Sequence, residues 1–382
     1  MFWSSAGQRG RVGLLRCWSL TAGTRTLSTP KCPLHTSRLF SISAPSKCPT
    51  HAEVKQPLRQ WALEVSPFST VRAQLGCSIS VHPLDVHAFP EADRAFISVH
   101  GTDTEPEVDL DHLHVRYDDQ KKELHISCHN FSQQLAGPCL SDLFITTQGE
   151  GNVQVKNMDC DVCTVHTEMG NCLLHSVKAH RVEVQSTGGD VTGTGTIHGN
   201  VDISTSGDSA VDVKKLQGTE MNVSTERGPL KVKAIYAESS CVSSCSGRVE
   251  LGHVHGEQTA AFSAFADGSN NFLKVSSNSG GIDVYVGDGG SAELHSQEGK
   301  HEYSPHLCVR VPSSLKAGVE LCGASVDISP EVNVLFPFYN SVFLSGYMNG
   351  ESAVDRWVKA RADRGSVRLK TQSWFESLKL GS

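Results

Sequence analysis

The chain has 382 residues, a formal net charge of −7, 38% hydrophobic residues and 7% aromatic ones. That acidic balance argues against a nucleic-acid-binding surface, which needs an excess of basic charge to displace counterions from phosphates. No apolar run approaches the ~20 residues of a membrane-spanning helix.

Composition points to stacked β-structure: 34 glycines and few aromatics suit repeated turns better than a compact aromatic core. The 13 cysteines are odd in number and scattered. They fit reduced thiols used as small buried hydrophobes rather than a disulfide framework.

The first acidic residue is Glu53, and before it come Arg9, Arg11, Arg16, Arg25, Lys31, Arg38 and Lys47 among many Ser and Thr. Residues 1–50 therefore have the composition of a mitochondrial transit peptide. The run Arg11–Leu20 can form a short helix with apolar residues on one side and Arg on the other. Its positive face suits the potential-driven pull across the inner membrane. The stretch Arg38-Leu39-Phe40-Ser41-Ile42-Ser43 suggests cleavage after Phe40, or a two-step cut ending near Cys48. A mitochondrial address is expected, the matrix before other compartments. A secretory signal would need a continuous apolar core, so the sequons at Asn130 and Asn222 are expected to be unused.

Residues 51–67, with Pro57 and Pro67, read as a linker, 68–375 as one β-domain and 376–382 as a tail. Alternating segments follow at Ser78–Val81, Ala95–Val99, Leu113–Tyr117 and Glu123–Ser127, the last two flanking the polar loop Asp118–Lys122. These are expected to be irregular first rungs that cap an otherwise open edge.

From Leu143 to Val286 a pattern recurs about every nineteen residues. Glycines stand at Gly151, Gly170, Gly189, Gly207, Gly228, Gly247 and Gly281. A hydroxyl precedes most of them by three (Thr167, Ser186, Ser204, Thr225, Ser244), and an apolar residue follows by two (Val153, Cys172, Val191, Leu230, Val249). In Val223-Ser224-Thr225-Glu226-Arg227-Gly228-Pro229-Leu230-Lys231-Val232, period-two alternation flanks a glycine-bearing turn. The glycine is expected to supply positive φ at the corner. One such unit cannot cover its apolar edge, but a stack can, which predicts an all-β, single-stranded β-solenoid (β-helix-like) of short strands with ~19-residue rungs and irregular end caps. A β-sandwich or barrel is the competing architecture. The nearly constant period and the lack of helix-length apolar stripes favour the solenoid.

After Val286 the repeat loosens. Strands are expected at Leu307–Val311 and Val319–Leu321, and Ala362–Lys370 returns to the rung pattern. Val332–Tyr339 is the most apolar stretch, read as core before docking patch, and Trp374–Leu378 is expected to fold over the open end as a second cap.

Three stretches, Ser186-Thr187-Gly188-Gly189-Asp190-Val191, Ser204-Thr205-Ser206-Gly207-Asp208 and Arg364-Gly365-Ser366-Val367-Arg368-Leu369, resemble the putative-adhesin family of β-solenoid domains. The resemblance covers residues 68–372. With its leader, the chain also looks like a vertebrate "family with sequence similarity" member carrying that domain. The family implies a fold and offers no active-site residues to carry over.

The candidate chemistry is sparse. Cys160-Asp161-Val162-Cys163 is a lone CxxC with His166, Cys172 and His175 nearby. Zinc needs two further ligands at fitting spacing and a redox motif needs a βαβ setting, so a structural role is expected, as for Cys241 and Cys245. His112-Leu113-His114 and His253-Val254-His255 each put two imidazoles on one strand face without an identifiable third ligand, and solvated faces are the expectation. Asp190, Asp202, Asp208, Asp212 and Asp283 recur beside turns, but in different phases of the repeat. Gly188-Gly189 and Gly289-Gly290 lack the downstream Lys and helix of a phosphate loop. No catalytic, cofactor-binding or metal residue is assigned, and no cofactor is expected. The expected function is a non-enzymatic scaffold or protein-binding module with unknown protein partners. The alternative is a glycan- or polymer-acting hydrolase or lyase using carboxylates on adjacent rungs.

Overall fold

The computed structural model describes residues 57–66, 68–84, 87, 89–90, 93–100, 113–128, 142–255, 272–287, 291–297, 307–332, 334–339, 341–349 and 356–373, with the strand Trp18–Leu20. Every regular element among them is a β-strand. The chain is a β-solenoid, and strand Val191–Thr205 shows how one turn is built. Val191, Ile197, Val201, Ile203 and Thr205 point inward and are buried, while Asp202 is exposed. A tight corner at 206–210 then returns the chain to Val211, which lies beside Val191 in parallel register.

Two rows of parallel strands result. The row after the corner aligns Val153, Cys172, Val191, Val211, Leu230, Val249, Ile282 and Leu307. The row before it aligns Leu143, Cys163, Val182, Val201, Met221, Ser240, Leu273 and Ala292. Each fully buried Val, Ile or Leu contributes about 1.5–3 kcal/mol. No single rung could bury these residues alone, so the stacking is what makes the alternation stable.

The corner glycines form a column, for a different reason than expected. Gly170 faces the carbonyl of Gly151, Gly189 that of Gly170, Gly247 that of Gly228 and Gly280 that of Gly247. A Cβ on any of them would overlap backbone of the preceding rung. None has positive φ; close approach, not handedness, excludes a side chain. Two assignments shift. Gly280, not Gly281, joins the column. The corner before Val211 is one residue longer, so Ser209 takes the column position and Gly207, at φ 65°, absorbs the extra turn.

A buried hydroxyl ladder runs beside the glycines: Thr147, Thr167, Ser186, Thr205, Thr225, Ser244, Ser277 and Ser296. Thr205 replaces Ser204, because the longer corner shifts the count and Ser204 faces outward. Gly189 N donates to Ser186 Oγ at 3.0 Å, Gly280 N to Ser277 Oγ at 2.9 Å, and Thr225 Oγ1 to Ser244 Oγ at 3.1 Å. On the other side of the corner a second ladder caps amides. Asn171 N donates to Asn152 Oδ1, Asp190 N to Asn171 Oδ1 and Ala210 N to Asp190 Oδ1, at 2.7–2.9 Å.

Both ends are closed by antiparallel strands. Thr70–Leu75 and Ile79–Pro83 form the first rung against Leu143–Thr147 and Val153–Lys156. The hairpin Leu113–Asp118/Glu123–Cys128 covers its outer edge. Trp18–Leu20 lies between Ile79–Pro83 and Arg94–Val99, so these three residues are strand where the leader pattern suggested helix. Arg59–Glu64, assigned to the linker by composition, pairs with Arg94–Val99.

At the far end the order of rungs departs from the order of the chain. Trp357–Ala362 and Ser366–Thr371 slot between Ser291–Ser296/Leu307–Val311 and the earlier-made Ala317–Cys322/Ser325–Ile328. Phe343–Met348 pairs antiparallel with Ala317–Cys322, and Val334–Tyr339 with Phe343–Met348. The apolar stretch Val332–Tyr339 thus supplies a strand of the cap rather than a rung. Trp374–Leu378 lies outside the described residues.

Candidate functional site

The acidic residues read from the sequence are dispersed by the register. Asp190 caps Ala210 N, Asp208 accepts from Arg227 Nε at 2.8 Å, and Asp283 accepts from Arg310 Nε at 2.6 Å. Asp202 sits on the outward row between Glu183 and Asn222, and Glu183 is engaged by Arg181 at 3.2 Å. Asp212 and Asp283 share an outward row, but Lys231 and Glu250 stand between them. A shallow groove of about 740 Å³ runs along the corner, lined by Thr146, His166, Glu168 and Thr187 among others. Glu168 is its one carboxylate, and it accepts from Gly149 N at 2.7 Å. Such a groove offers no pair of carboxylates.

The cysteines of the CxxC region turn into the core and the neighbouring histidines face outward. Cys163 is core, in register between Leu143 and Val182, and Cys172 is core between Val153 and Val191. Cys160 is buried beside Cys163. The hydrogen bond to that neighbouring thiol, with burial, pushes its own thiol far above the usual range. Burial alone pushes the Cys172 thiol up to about 12. His166 and His175 face outward on different rows, and each contacts the next rung: Nδ1 of His166 is 2.9 Å from Gln185 Oε1, and Nδ1 of His175 is 2.9 Å from Thr194 Oγ1. Among the described residues no three His, Cys, Asp or Glu side chains gather around a cation position.

Of the His-x-His pairs, His114 is exposed, as a solvated face requires. His253 departs from that expectation: it is 2% exposed and stacks on Tyr285 at 5.2 Å between ring centres. His112, the His255 side chain and Gly289-Gly290 lie outside the described residues. Gly189 belongs to the corner column, and no helix begins there to hold a phosphate. Cys241 and Cys245 are exposed, on a rung and at its corner.

One surface feature escaped the sequence reading. On the outer side of the post-corner row, Lys156 pairs with His175, which contacts Thr194; past a register shift between Gly193 and Thr196, Lys214 and Lys233 follow the paired residues Val213 and Val232 on the next two rungs. Gln154, Leu173, Thr192, Asp212 and Lys231 occupy one line of outward positions two residues earlier. Lys215 lies at the bend, its Nζ 4.8 Å from the Tyr236 ring centre. Lys156, Lys214, Lys231 and Lys233, with Lys215 at the bend, outnumber the two carboxylates that flank Lys231, Asp212 and Glu250, so this face is net basic on a chain whose net charge is −7. Lys214 is exposed, and Lys156, Lys231 and Lys233 are half-buried. Among the described residues no ion pair engages Lys156, Lys214 or Lys231. The signal was present as Lys214 and Lys233 one period apart, and Lys231 and Lys233 two residues apart. It carries meaning only once the register shows that all three share a face.

A solved structure described as a "putative cell adhesion protein from Clostridium sporogenes ATCC 15579" aligns with 83% of this chain and 100% of its own. The sequence identity is 11% and the TM-score 0.13, a likeness too remote to carry an argument. The family comparison is more direct: residues 117–304, which hold the regular rungs, match the family model described as Toastrack DUF4097.

Proposed function

We propose that this protein is a non-enzymatic scaffold whose outward rows bind a partner protein, and that it works in mitochondria. The observation that carries the reading is the construction of the faces. Outward side chains repeat at rung spacing, about 4.8 Å, and along each strand at every second residue, giving extended flat surfaces on a rigid core. Reactive groups are spent on structure: Asp190, Asp208 and Asp283 hold backbone or Arg partners, and Cys163 and Cys172 fill the core. The Toastrack match over 117–304 spans the rungs that build these faces.

The mitochondrial part rests on the acid-free, Arg-rich residues 1–50. Processing after Phe40 would remove Trp18–Leu20 from the entry cap and leave the rungs from Thr70 onward intact. The test is imaging of a carboxy-terminally tagged chain with and without residues 1–50, followed by cross-linking and purification from the compartment found. The expected result is mitochondrial targeting that depends on residues 1–50, with the same identified protein partners recovered repeatedly. A chain that stays elsewhere with its leader intact refutes the address. Absence of any reproducible partner after cross-linking refutes the scaffold.

A further inference from the structure

We propose that the post-corner face around Lys214, Lys231 and Lys233 is the docking surface for an extended, acidic segment of a partner polypeptide. The inference rests on the scaffold reading above and names the chemistry of the partner.

The argument begins with spacing. Lys231 and Lys233 are two residues apart on one strand and point to the same side, so their Cα atoms are separated by about 6.8 Å. Lys214 stands beside Lys233 on the neighbouring rung, about 4.8 Å away. An extended polypeptide repeats its own same-side groups at that two-residue interval. Carboxylates at alternate positions of such a segment therefore meet Lys231 and Lys233 in register, with Lys214 flanking them. Lys156 lies three rungs further on, past His175 and Thr194. It prolongs the positive field along the stack and would steer an acidic partner onto it. Thr192, on the Lys231 line one rung beyond Asp212, offers a hydroxyl to a peptide backbone.

The face is bounded as well as charged. On the next rungs Glu250 is held by Arg248 at 2.7 Å, and Asp283 by Arg310 at 2.6 Å. Those pairs end the basic stretch on that side and give it a defined length. The patch has no Arg, the residue whose planar fork suits phosphates, and it includes Asp212. Both features disfavour a nucleic acid. The exposed large apolar side chains among the described residues, Leu58, Phe68, Met169, Phe272 and Val342, lie off these rows, and the half-buried Leu173 alone on them is too little to anchor a membrane surface.

The test is fluorescence anisotropy of a labelled peptide of alternating Glu and Ser with the purified full chain, at low and high salt. Saturable binding is expected, weakened by salt. The triple variant Lys214→Glu, Lys231→Glu, Lys233→Glu should reduce it by about tenfold or more, with an unchanged circular dichroism spectrum. The control Lys274→Glu, Lys359→Glu places two such reversals on the pre-corner face and should leave peptide binding unaltered. Equal affinity for wild type and triple variant overturns the proposal. So does binding of phosphatidylserine vesicles or single-stranded DNA, lost in the triple variant, by a chain that ignores the peptide. If the triple variant keeps every identified partner of the wild type, this face fails while the scaffold reading stands; if the wild type has no partner, the scaffold reading fails first.

Discussion

At the scale of single residues, the solenoid depends on side chains that are absent as much as on those present. Gly170 sits over the Gly151 carbonyl, and Gly76 sits where an added Cβ would meet nothing within 4 Å. Gly170→Ala should cost about 1–3 kcal/mol, because the obstacle is backbone of a packed rung that cannot rotate away. Gly76→Ala should stay within about 0.5 kcal/mol of wild type. Chemical denaturation of the two variants checks the contrast, and equal midpoints would refute the close-approach account. The hydroxyl ladder makes a second contrast. Thr225 Oγ1 donates to Ser244 Oγ, whereas Thr147 Oγ1 is buried without a hydrogen-bond partner. Thr225→Val should therefore destabilise by about 1 kcal/mol, and Thr147→Val should be neutral or stabilising, since it removes a buried polar atom that bonds nothing. Thermal melts of both variants decide it.

At the scale of elements, rungs are tied together by a few cross-rung contacts. Arg310, 4% exposed, donates to Asp283 Oδ1, Gln372 Oε1 and Leu251 O, so one side chain links three strands and the residue that follows a fourth. Arg310→Ala leaves the Asp283 carboxylate without that partner and should cost about 3 kcal/mol. Adding Asp283→Asn to Arg310→Ala should recover part of that loss, because the two share one interaction; full additivity in a double-mutant cycle would contradict the coupling. The sequence disclosed these elements unevenly. Strands from Leu143 to His255 were legible because a period of nineteen or twenty residues carries corner, ladder and core positions together. The insertion of Trp357–Thr371 ahead of Ala317–Ile328 was not, since rung sequences are nearly interchangeable and alternation does not say which rung is next. The same blindness hid the lysine face: side chains from separate rungs become neighbours only through register. Ser204 and Gly207 misled the count because the corner after Thr205 has one residue more than its neighbours.

At the scale of the whole molecule, stability is carried by contacts between adjacent rungs, so a defect in the middle should act locally before it acts globally. Ile203 is fully buried, in register with Val184 on one side and Val223 on the other. Truncating it to alanine removes apolar contact from two rung interfaces at once and should cost about 2–5 kcal/mol. In a compact globule that loss would be shared by the whole cooperative unit. In a solenoid it should raise sub-global opening most in the strands Val177–Ser186, Val191–Thr205 and Val211–Thr225, and fade with each further rung toward Leu307–Val311. Native-state hydrogen exchange read by mass spectrometry on Ile203→Ala supplies the profile. Graded exchange centred on Ile203 is the expected outcome. Uniform acceleration from Leu143 to Val311 would show that the stack unfolds as one block, with rung-to-rung interfaces stronger than any single rung.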